Sequence, residues 1–291
     1  MLKVDEAMID PIEARASFKQ SLLEVVRTDD RIVGLLEGGS GAEGRVDPWS
    51  DLDVFLFIQD AQIEQFRQEW RQWSRQFGQL LLAYDPDEDG AIAWTIFQTE
   101  SSPLRVDFRF MPASQIEEVR SWPTSPQALD AFVLYDKTDG HLSEVAKALV
   151  GSSQRLPASQ ELGTFESHCN RMWYFLHTAF CKFKRGDYWY TRVTLHIAAL
   201  DSLIALLRLE AGAVERWQAS FPEWKLEQAL PPARLRQLNG CIPLQSPEDL
   251  RQAMLQTAYL GRDVCRNIAT QHGWSWPDAA AEAIIEMLIA G

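Results

Sequence analysis

Two aspartates stand close together inside an apolar segment. Asp51 and Asp53 begin the run Asp-Leu-Asp-Val-Phe-Leu-Phe, whose β-branched and aromatic residues are typical of a strand. Because side chains alternate across a strand, both carboxylates are expected on one face, with Leu52 and Val54 facing the core. Burying ionised carboxylates costs several kcal/mol each unless a partner neutralises them. Either this face is exposed to water, or a cation binds there.

A third carboxylate comes from a later strand. In the segment Pro-Leu-Arg-Val-Asp-Phe-Arg-Phe-Met-Pro, Val106, Phe108 and Phe110 alternate with Asp107 and Arg109, as in a strand with one buried face. Asp107 is the lone acid of that strand. Mg²⁺ prefers oxygen ligands and is bound by a few carboxylates together with substrate phosphates. The sequence therefore predicts a metal site, and catalytic acids, at Asp51, Asp53 and Asp107.

A glycine-rich turn precedes the aspartate pair. In Gly38-Gly39-Ser40-Gly41 the glycines allow backbone N–H groups to approach a phosphate closely, and the Ser40 hydroxyl adds a donor. Arg45 is the nearest positive charge, and Ser50 is also predicted to bind the nucleotide. A phosphate-binding turn followed by metal-binding acids is the layout required for transfer of a nucleotidyl group.

The apolar periodicity predicts the elements that position these residues. Asp60 is expected to cap the second helix, Gly78 to end it, and the segment 151–160 to be a linker. Two domains follow, at 1–150 and 151–291. The predicted elements of the first domain are helices at 11–29 and 60–78, strands at 31–39, 52–58, 79–85, 91–99 and 103–112, and then a short helix, a strand and a turn. The second domain is predicted to be helical over 161–209, with an interruption at 184–190, and over 246–273 and 277–291.

Composition limits the function classes. The 291 residues are 46% hydrophobic, which is enough for a core, and carry a formal net charge of −13. Such an acidic chain is a poor candidate for binding nucleic acid, and it fits either a cationic partner or an ordinary cytoplasmic protein. The four cysteines show no zinc or disulfide spacing. With no signal-peptide pattern and no apolar run of about 18 residues, we expect a cytoplasmic protein without a membrane partner.

The segment GGSGAEGRVDPWSDLDVFLF resembles the signature of the DNA polymerase β-like nucleotidyltransferases. Within that superfamily, the length and the helical second half are most similar to the lincosamide and aminoglycoside (streptomycin-type) antibiotic nucleotidyltransferases. The resemblance implies an α+β fold, in which an N-terminal mixed-sheet nucleotidyltransferase domain precedes an α-helical bundle domain that serves as substrate and nucleotide lid. It also implies that Asp51 and Asp53 bind Mg²⁺, that Gly39 and Ser40 hold the β- and γ-phosphates, and that Asp107 is the third carboxylate. Whether Asp107 acts as base, metal ligand or both stays open.

The resemblance also implies a lysine or arginine of the helical domain that faces the triphosphate. Lys182 and Arg192 are the candidates, with Lys184 behind them. The alternative interpretation is that Lys184 and Arg185 belong to a solvated helix end, where cations favour the macrodipole.

The expected activity is Mg²⁺-dependent transfer of a nucleotidyl group, in the first place adenylyl from ATP, to a hydroxyl of a small cationic molecule such as a lincosamide or an aminoglycoside. The alternative is a nucleotidyltransferase-fold module that modifies or regulates a macromolecular partner. The acidic charge disfavours a third class, the enzymes that extend nucleic-acid ends. The apolar C-terminal segment AAAEAIIEMLIAG is a candidate homodimer interface.

Overall fold

A computed structural model describes residues 9–87, 89–152, 155–216, 218, 221–243 and 245–290. The chain forms two compact units, Met1–Ser153 and Gln154–Gly291. The first contains a six-stranded mixed sheet and the second is helical, so the predicted α+β fold class is confirmed.

The sheet of the first unit has the strand order β3-β4-β5-β2-β1-β6. Every neighbouring pair is antiparallel except β2 and β5, which run parallel in the middle of the sheet. The alternation of apolar residues predicted from the sequence is confirmed in both central strands. The strands are β1 (Ile32–Glu37), β2 (Leu52–Ile58), β3 (Gln79–Tyr84), β4 (Ile92–Gln98), β5 (Leu104–Pro112) and β6 (Val133–Asp136).

Helices cover the two faces of this sheet unequally. On one face, the first and third helices bury Phe18, Leu22, Phe66 and Trp70 against the strands. On the other face, the short helices near β6 pack around Phe132. The helices are α1 (Pro11–Thr28), α2 (Gly39–Ala42), α3 (Ile63–Ser74), α4 (Leu129–Phe132) and α5 (His141–Lys147), with 3-10 turns at Asp60–Gln62 and Ala113–Ser121.

Helix α1 begins with a capping aspartate followed by a proline, as is common at helix N-termini. The Asp10 carboxylate accepts a hydrogen bond from the Ile12 amide at 2.8 Å, and Pro11, whose missing N–H costs nothing there, occupies the first turn. The helix ends at Thr28, one residue before the predicted limit.

The prediction for the second helix was wrong at both ends. Asp60 does not cap α3, because its carboxylate accepts from the Ser114 amide, and α3 starts at Ile63 after a 3-10 turn. The helix ends at Ser74 and not at Gly78. The chain leaves the helix there because the Phe77 ring packs against Phe18, and β3 begins directly after Gly78.

The second unit is built of helices around a separate core of apolar side chains. The predicted interruption is confirmed but shorter, since one helix ends at Lys184 and the next begins at Tyr188. The first helix begins at Ala158, inside the segment predicted as a linker. The helices are α6 (Ala158–Lys184), α7 (Tyr188–Thr194), a π-helical turn (Leu195–Leu200), α8 (Asp201–Glu210), α9 (Leu226–Ala229), α10 (Pro232–Asn239), α11 (Pro247–His272) and α12 (Asp278–Ala290).

Helix α11 starts with a capping box. Ser246 Oγ accepts from the Asp249 amide at 3.1 Å, and the Asp249 carboxylate accepts from the Ser246 amide at 2.8 Å. The predicted start at Ser246-Pro247 is confirmed. Among the described residues, the longer helices are all too polar to cross a membrane.

Candidate active site

The parallel pairing of β2 with β5 brings the predicted acids together. Asp51 directly precedes β2, Asp53 lies within it, and Asp107 lies in β5 as the register partner of Asp53. One carboxylate oxygen from each of the three residues can be chosen so that all lie within 4.8 Å of one another. Asp107, which is distant in sequence from Asp51 and Asp53, therefore joins them in one cluster of oxygen ligands.

The ionised forms of two of these carboxylates are disfavoured when no cation is bound. Burial, together with the neighbouring Asp107 carboxylate, raises the pKa of Asp53 to about 6, although Arg15 opposes this shift. Burial also raises the pKa of Asp107, while Arg105 lowers it. Both carboxylates are thus held in surroundings that disfavour their charged forms until a positive charge approaches.

An arginine that the sequence reasoning missed supplies positive charge at this cluster. The Arg105 guanidinium forms an ion pair with Asp51, and its Nε lies 3.7 Å from Asp107 Oδ2. The signal was present in the sequence, because Arg105 shares the strand alternation of Asp107 and Arg109 and so points to the same face. Its side chain is 61% exposed, which leaves it free to move when another cation binds.

The predicted phosphate turn lies directly beside the acids, but it is the short helix α2 and not an open turn. Gly39 has φ +55°, and a Cβ on it would lie 2.3 Å from Asp53 Oδ2. Only glycine fits this close approach. The Gly38 amide donates to the Asp53 carbonyl at 2.8 Å, and the Ser40 hydroxyl oxygen is buried without a hydrogen-bond partner among the residues that the structure describes.

A buried ion pair beneath this turn was also missed. Glu37, at the end of β1, accepts from Arg15 at 2.6 Å and from Lys19 at 3.0 Å, and its side chain is 1% exposed. Arg15 Nε also donates to the Asp51 carbonyl at 2.7 Å. Arg15 therefore ties the backbone of Asp51 to α1. An acid directly before the Gly-Gly pair was the available sequence signal.

The other predicted nucleotide-binding residues of this unit lie in the segment between α2 and β2. Arg45 forms an ion pair with Glu43. Ser50 Oγ accepts from the Asp47 amide at 2.9 Å. Ser50 also lines a cavity of about 440 Å³ together with Asp51 and Arg105.

Lys182 and Arg192 lie in the helical unit. The Lys182 ammonium lies 4.5 Å from the centre of the Tyr190 ring, and Arg192 donates to the Gln245 carbonyl at 2.6 Å. Their predicted role toward the triphosphate stays a prediction.

The donor set fits a hard divalent cation. It consists of carboxylate oxygens only, and within the described part of the chain Asp107 Oδ1 is buried without a hydrogen-bond partner. The Arg105 guanidinium already lies against two of the three carboxylates, so a positive charge is favourable there. The unpartnered Asp107 oxygen and the Ser40 hydroxyl are the groups available to a metal and to a phosphate.

Comparison with known proteins identifies the family. The family model described as streptomycin adenylyltransferase matches residues 13–290. The chain belongs to this family, which confirms the resemblance seen in the sequence. It is accordingly an enzyme of the nucleotidyltransferase class, and adenylyl transfer requires a nucleoside triphosphate as co-substrate.

Solved structures give more distant similarities. An aminoglycoside 6-adenyltransferase from Bacillus subtilis is 15% identical, with 95% of this chain and 96% of that chain covered and a TM-score of 0.43. A nucleotidyltransferase-like protein from Exiguobacterium sibiricum is 11% identical, with coverages of 95% and 91% and a TM-score of 0.37. None of the curated proteins matches this chain.

Proposed function

We propose that this enzyme transfers AMP from ATP, in the presence of Mg²⁺, to a hydroxyl of an antibiotic of the aminoglycoside class. The observation that carries the proposal is the convergence of Asp51, Asp53 and Asp107 within 4.8 Å, directly beside the Gly39 backbone. We further propose that it acts in the cytoplasm, where ATP and Mg²⁺ are both abundant, and that residues 1–150 carry the transfer chemistry.

Asp51, Asp53 and Asp107 would hold Mg²⁺, which when bound neutralises the triphosphate and stabilises charge that develops during in-line displacement. The backbone at Gly39 and the Ser40 hydroxyl would bind the β- and γ-phosphates, with Ser50 and Arg45 as further contacts. Lys182 and Arg192 of the helical unit stay proposed as nucleotide-binding cations.

The reaction forms one bond and breaks one bond. The oxygen of the acceptor hydroxyl attacks the α-phosphorus of ATP, and the bond from the α-phosphorus to the bridging oxygen breaks. Pyrophosphate leaves with that electron pair, and the hydroxyl proton passes to a carboxylate. Asp107 is suited to receive this proton, because burial raises its pKa and one of its oxygens accepts no hydrogen bond from any described residue.

The test is pyrophosphate release from ATP and Mg²⁺ with streptomycin and with a panel of aminoglycosides and lincosamides. Asp53→Asn keeps the shape of the side chain but removes a charged ligand, so we expect kcat/KM to fall by at least about 100-fold. Calorimetric titration with Mn²⁺ should show weakened metal binding in the same variant. Asp263→Asn, at an exposed position of α11, is the control and should behave as the wild type.

Two results would overturn the proposal. One is that no small acceptor supports pyrophosphate release by the wild type. The other is that label from [α-³²P]ATP is transferred to a protein in a cell lysate, which would favour a macromolecular acceptor.

A further inference from the structure

One face of the sheet is only partly covered by helices of its own unit. Helices α4 and α5 pack around Leu36, Phe57 and Phe132, on the side of β1, β2 and β6. The same face of β3 and β4 leaves Leu82, Tyr84 and Trp94 48%, 54% and 46% exposed. Large apolar side chains that are grouped and half exposed are typical of a binding surface.

The strand register joins this aromatic surface to the acids. Asp53 pairs with Asp107, Asp107 pairs with Trp94, and Trp94 pairs with Tyr84. Directly opposed residues point to the same face of a sheet, with Cα atoms about 4.5–5.5 Å apart. The four side chains thus form one row across four strands. The Tyr84 and Trp94 rings lie next to each other, with their centres 5.7 Å apart.

The geometry of the proposed reaction indicates which of the two substrates binds at this aromatic surface. The predicted phosphate site at Gly39 lies beyond Asp53, on the side of β1, because the Gly39 backbone approaches Asp53. In-line displacement requires the attacking oxygen opposite the leaving pyrophosphate. The attacking hydroxyl must therefore come from the side of Asp107, which is the side of β4 and β3.

We propose that Tyr84 and Trp94 form the acceptor platform, a flat surface that binds a hydroxylated sugar or cyclitol ring so that one ring hydroxyl reaches Asp107. This inference rests on the proposed function and locates the acceptor within it. The C–H face of such a ring packs against aromatic rings, while the hydroxyls at its rim stay free to react.

The charges of the face fit a ring with cationic substituents. Three carboxylates, those of Asp51, Asp53 and Asp107, share this face with the guanidinium groups of Arg105 and Arg109, so acids outnumber bases among these five residues. An ammonium or guanidinium group above the Trp94 ring gains cation–π attraction as well. The platform therefore favours an aminocyclitol or amino sugar over a neutral or acidic acceptor.

The experiment measures KM for streptomycin and for ATP separately, by pyrophosphate release, in Trp94→Ala, Tyr84→Ala and Trp94→Phe. Loss of one stacking ring should raise KM for streptomycin about three- to tenfold, with KM for ATP changed less than about twofold. Trp94→Phe keeps a ring and should retain most of the affinity. Leu81→Ala is the control. Leu81 lies in β3, the strand of Tyr84, and is 47% exposed, but it is not part of the row of paired residues that contains Trp94 and Asp107. This variant should behave as the wild type.

The outcomes separate the two proposals. If the wild type turns over streptomycin and Trp94→Ala and Tyr84→Ala leave its KM unchanged, the platform is refuted and the proposed function stands. If KM for ATP rises instead, the rings bind the nucleobase, and the platform is again refuted. If the wild type turns over no acceptor, the proposed function fails and the platform fails with it. Thermal unfolding above the assay temperature shows that each variant is folded.

Discussion

At the scale of single residues, the candidate site depends on a close contact between Gly39 and Asp53 that only glycine permits. Asp53 is held between the backbone of α2 on one side and Asp107 on the other, and burial disfavours its charge. Arg15 anchors the backbone of Asp51 from α1, while Arg105 offers charge from the open side. Burying these charges lowers the stability of the fold, and we expect a bound cation and a bound phosphate to offset that loss.

Gly39→Ala tests this close approach. The new Cβ would lie 2.3 Å from Asp53 Oδ2 and would adopt φ +55°, so both the carboxylate and the backbone must move. We expect a loss of at least about 1–2 kcal/mol in the free energy of unfolding and a loss of Mn²⁺ binding in calorimetric titration.

Gly140→Ala is the matched control for that variant. Gly140 has φ +86°, but an added Cβ there would meet no atom of the described residues within 4 Å. It should lose about 1 kcal/mol from backbone strain alone and should bind Mn²⁺ normally. Equal metal binding by Gly39→Ala and Gly140→Ala would contradict the proposed contact between α2 and the metal ligands.

At the scale of elements, the end of β6 shows how one carboxylate organises a turn. Asp136 accepts hydrogen bonds from the amide and hydroxyl of Thr138, at 2.8 and 2.6 Å, and from those of Ser143, at 2.9 and 2.6 Å. Burial raises the pKa of Asp136, but these hydrogen bonds outweigh it and hold the pKa below its ordinary value. The carboxylate thereby fixes the start of α5 against the last strand.

Asp136→Ala should destabilise the fold in a pH-dependent way. Because the pKa in the folded state lies below that of the unfolded chain, the stabilisation is complete at neutral pH and is lost as pH falls through the folded-state pKa. We expect a loss of about 1–2 kcal/mol at pH 7 by urea unfolding, and a smaller difference from the wild type below about pH 4. Asp130→Ala, an exposed acid of α4, is the control. A difference that stays constant down to pH 3 would contradict the role of the charge.

Strands β2 and β5 and helix α3 show which features of the fold can be predicted from sequence patterns and which cannot. The limits of β2 and the alternating faces of β5 followed from their own residues, because apolar side chains must face a core. The register that pairs Asp53 with Asp107 could not be predicted from the residues of the two strands, since a parallel pairing is decided by the packing of the whole unit. The end of α3 was misplaced for the same reason, because Phe77 finds its partner in α1 and not in its own helix.

In the candidate site, too, some residues could be predicted from the sequence and others could not. The acids were predicted because ionised carboxylates within a strand need a partner to offset their desolvation cost, and the glycines because they let backbone N–H groups approach a phosphate. Arg105 and the pair of Glu37 with Arg15 were missed, because their roles arise from contacts between elements. Local sequence indicates which residues need a partner, and tertiary structure decides which partner they find.

At the scale of the whole molecule, the net charge of −13 creates a field that attracts cations. The field would attract the proposed cationic acceptor and would oppose the approach of free ATP. Mg²⁺ reduces that opposition, because the metal complex of the triphosphate carries less negative charge. The field therefore acts on encounter with substrates, whereas the contacts at the site decide the chemistry.

Salt should accordingly lower kcat/KM for the proposed cationic acceptor but not for ATP. Raising KCl from about 20 to about 300 mM shortens the Debye length to well below the size of the protein. We expect kcat/KM for streptomycin to fall several-fold, because screening removes the attraction, while kcat/KM for ATP stays level or rises. The measurement is initial-rate kinetics at saturating concentration of the other substrate, with ionic strength as the only variable. A salt-independent kcat/KM for streptomycin would mean that its charges do not sense the protein's field, and recognition would then have to come from contacts such as those with Trp94 and Asp107.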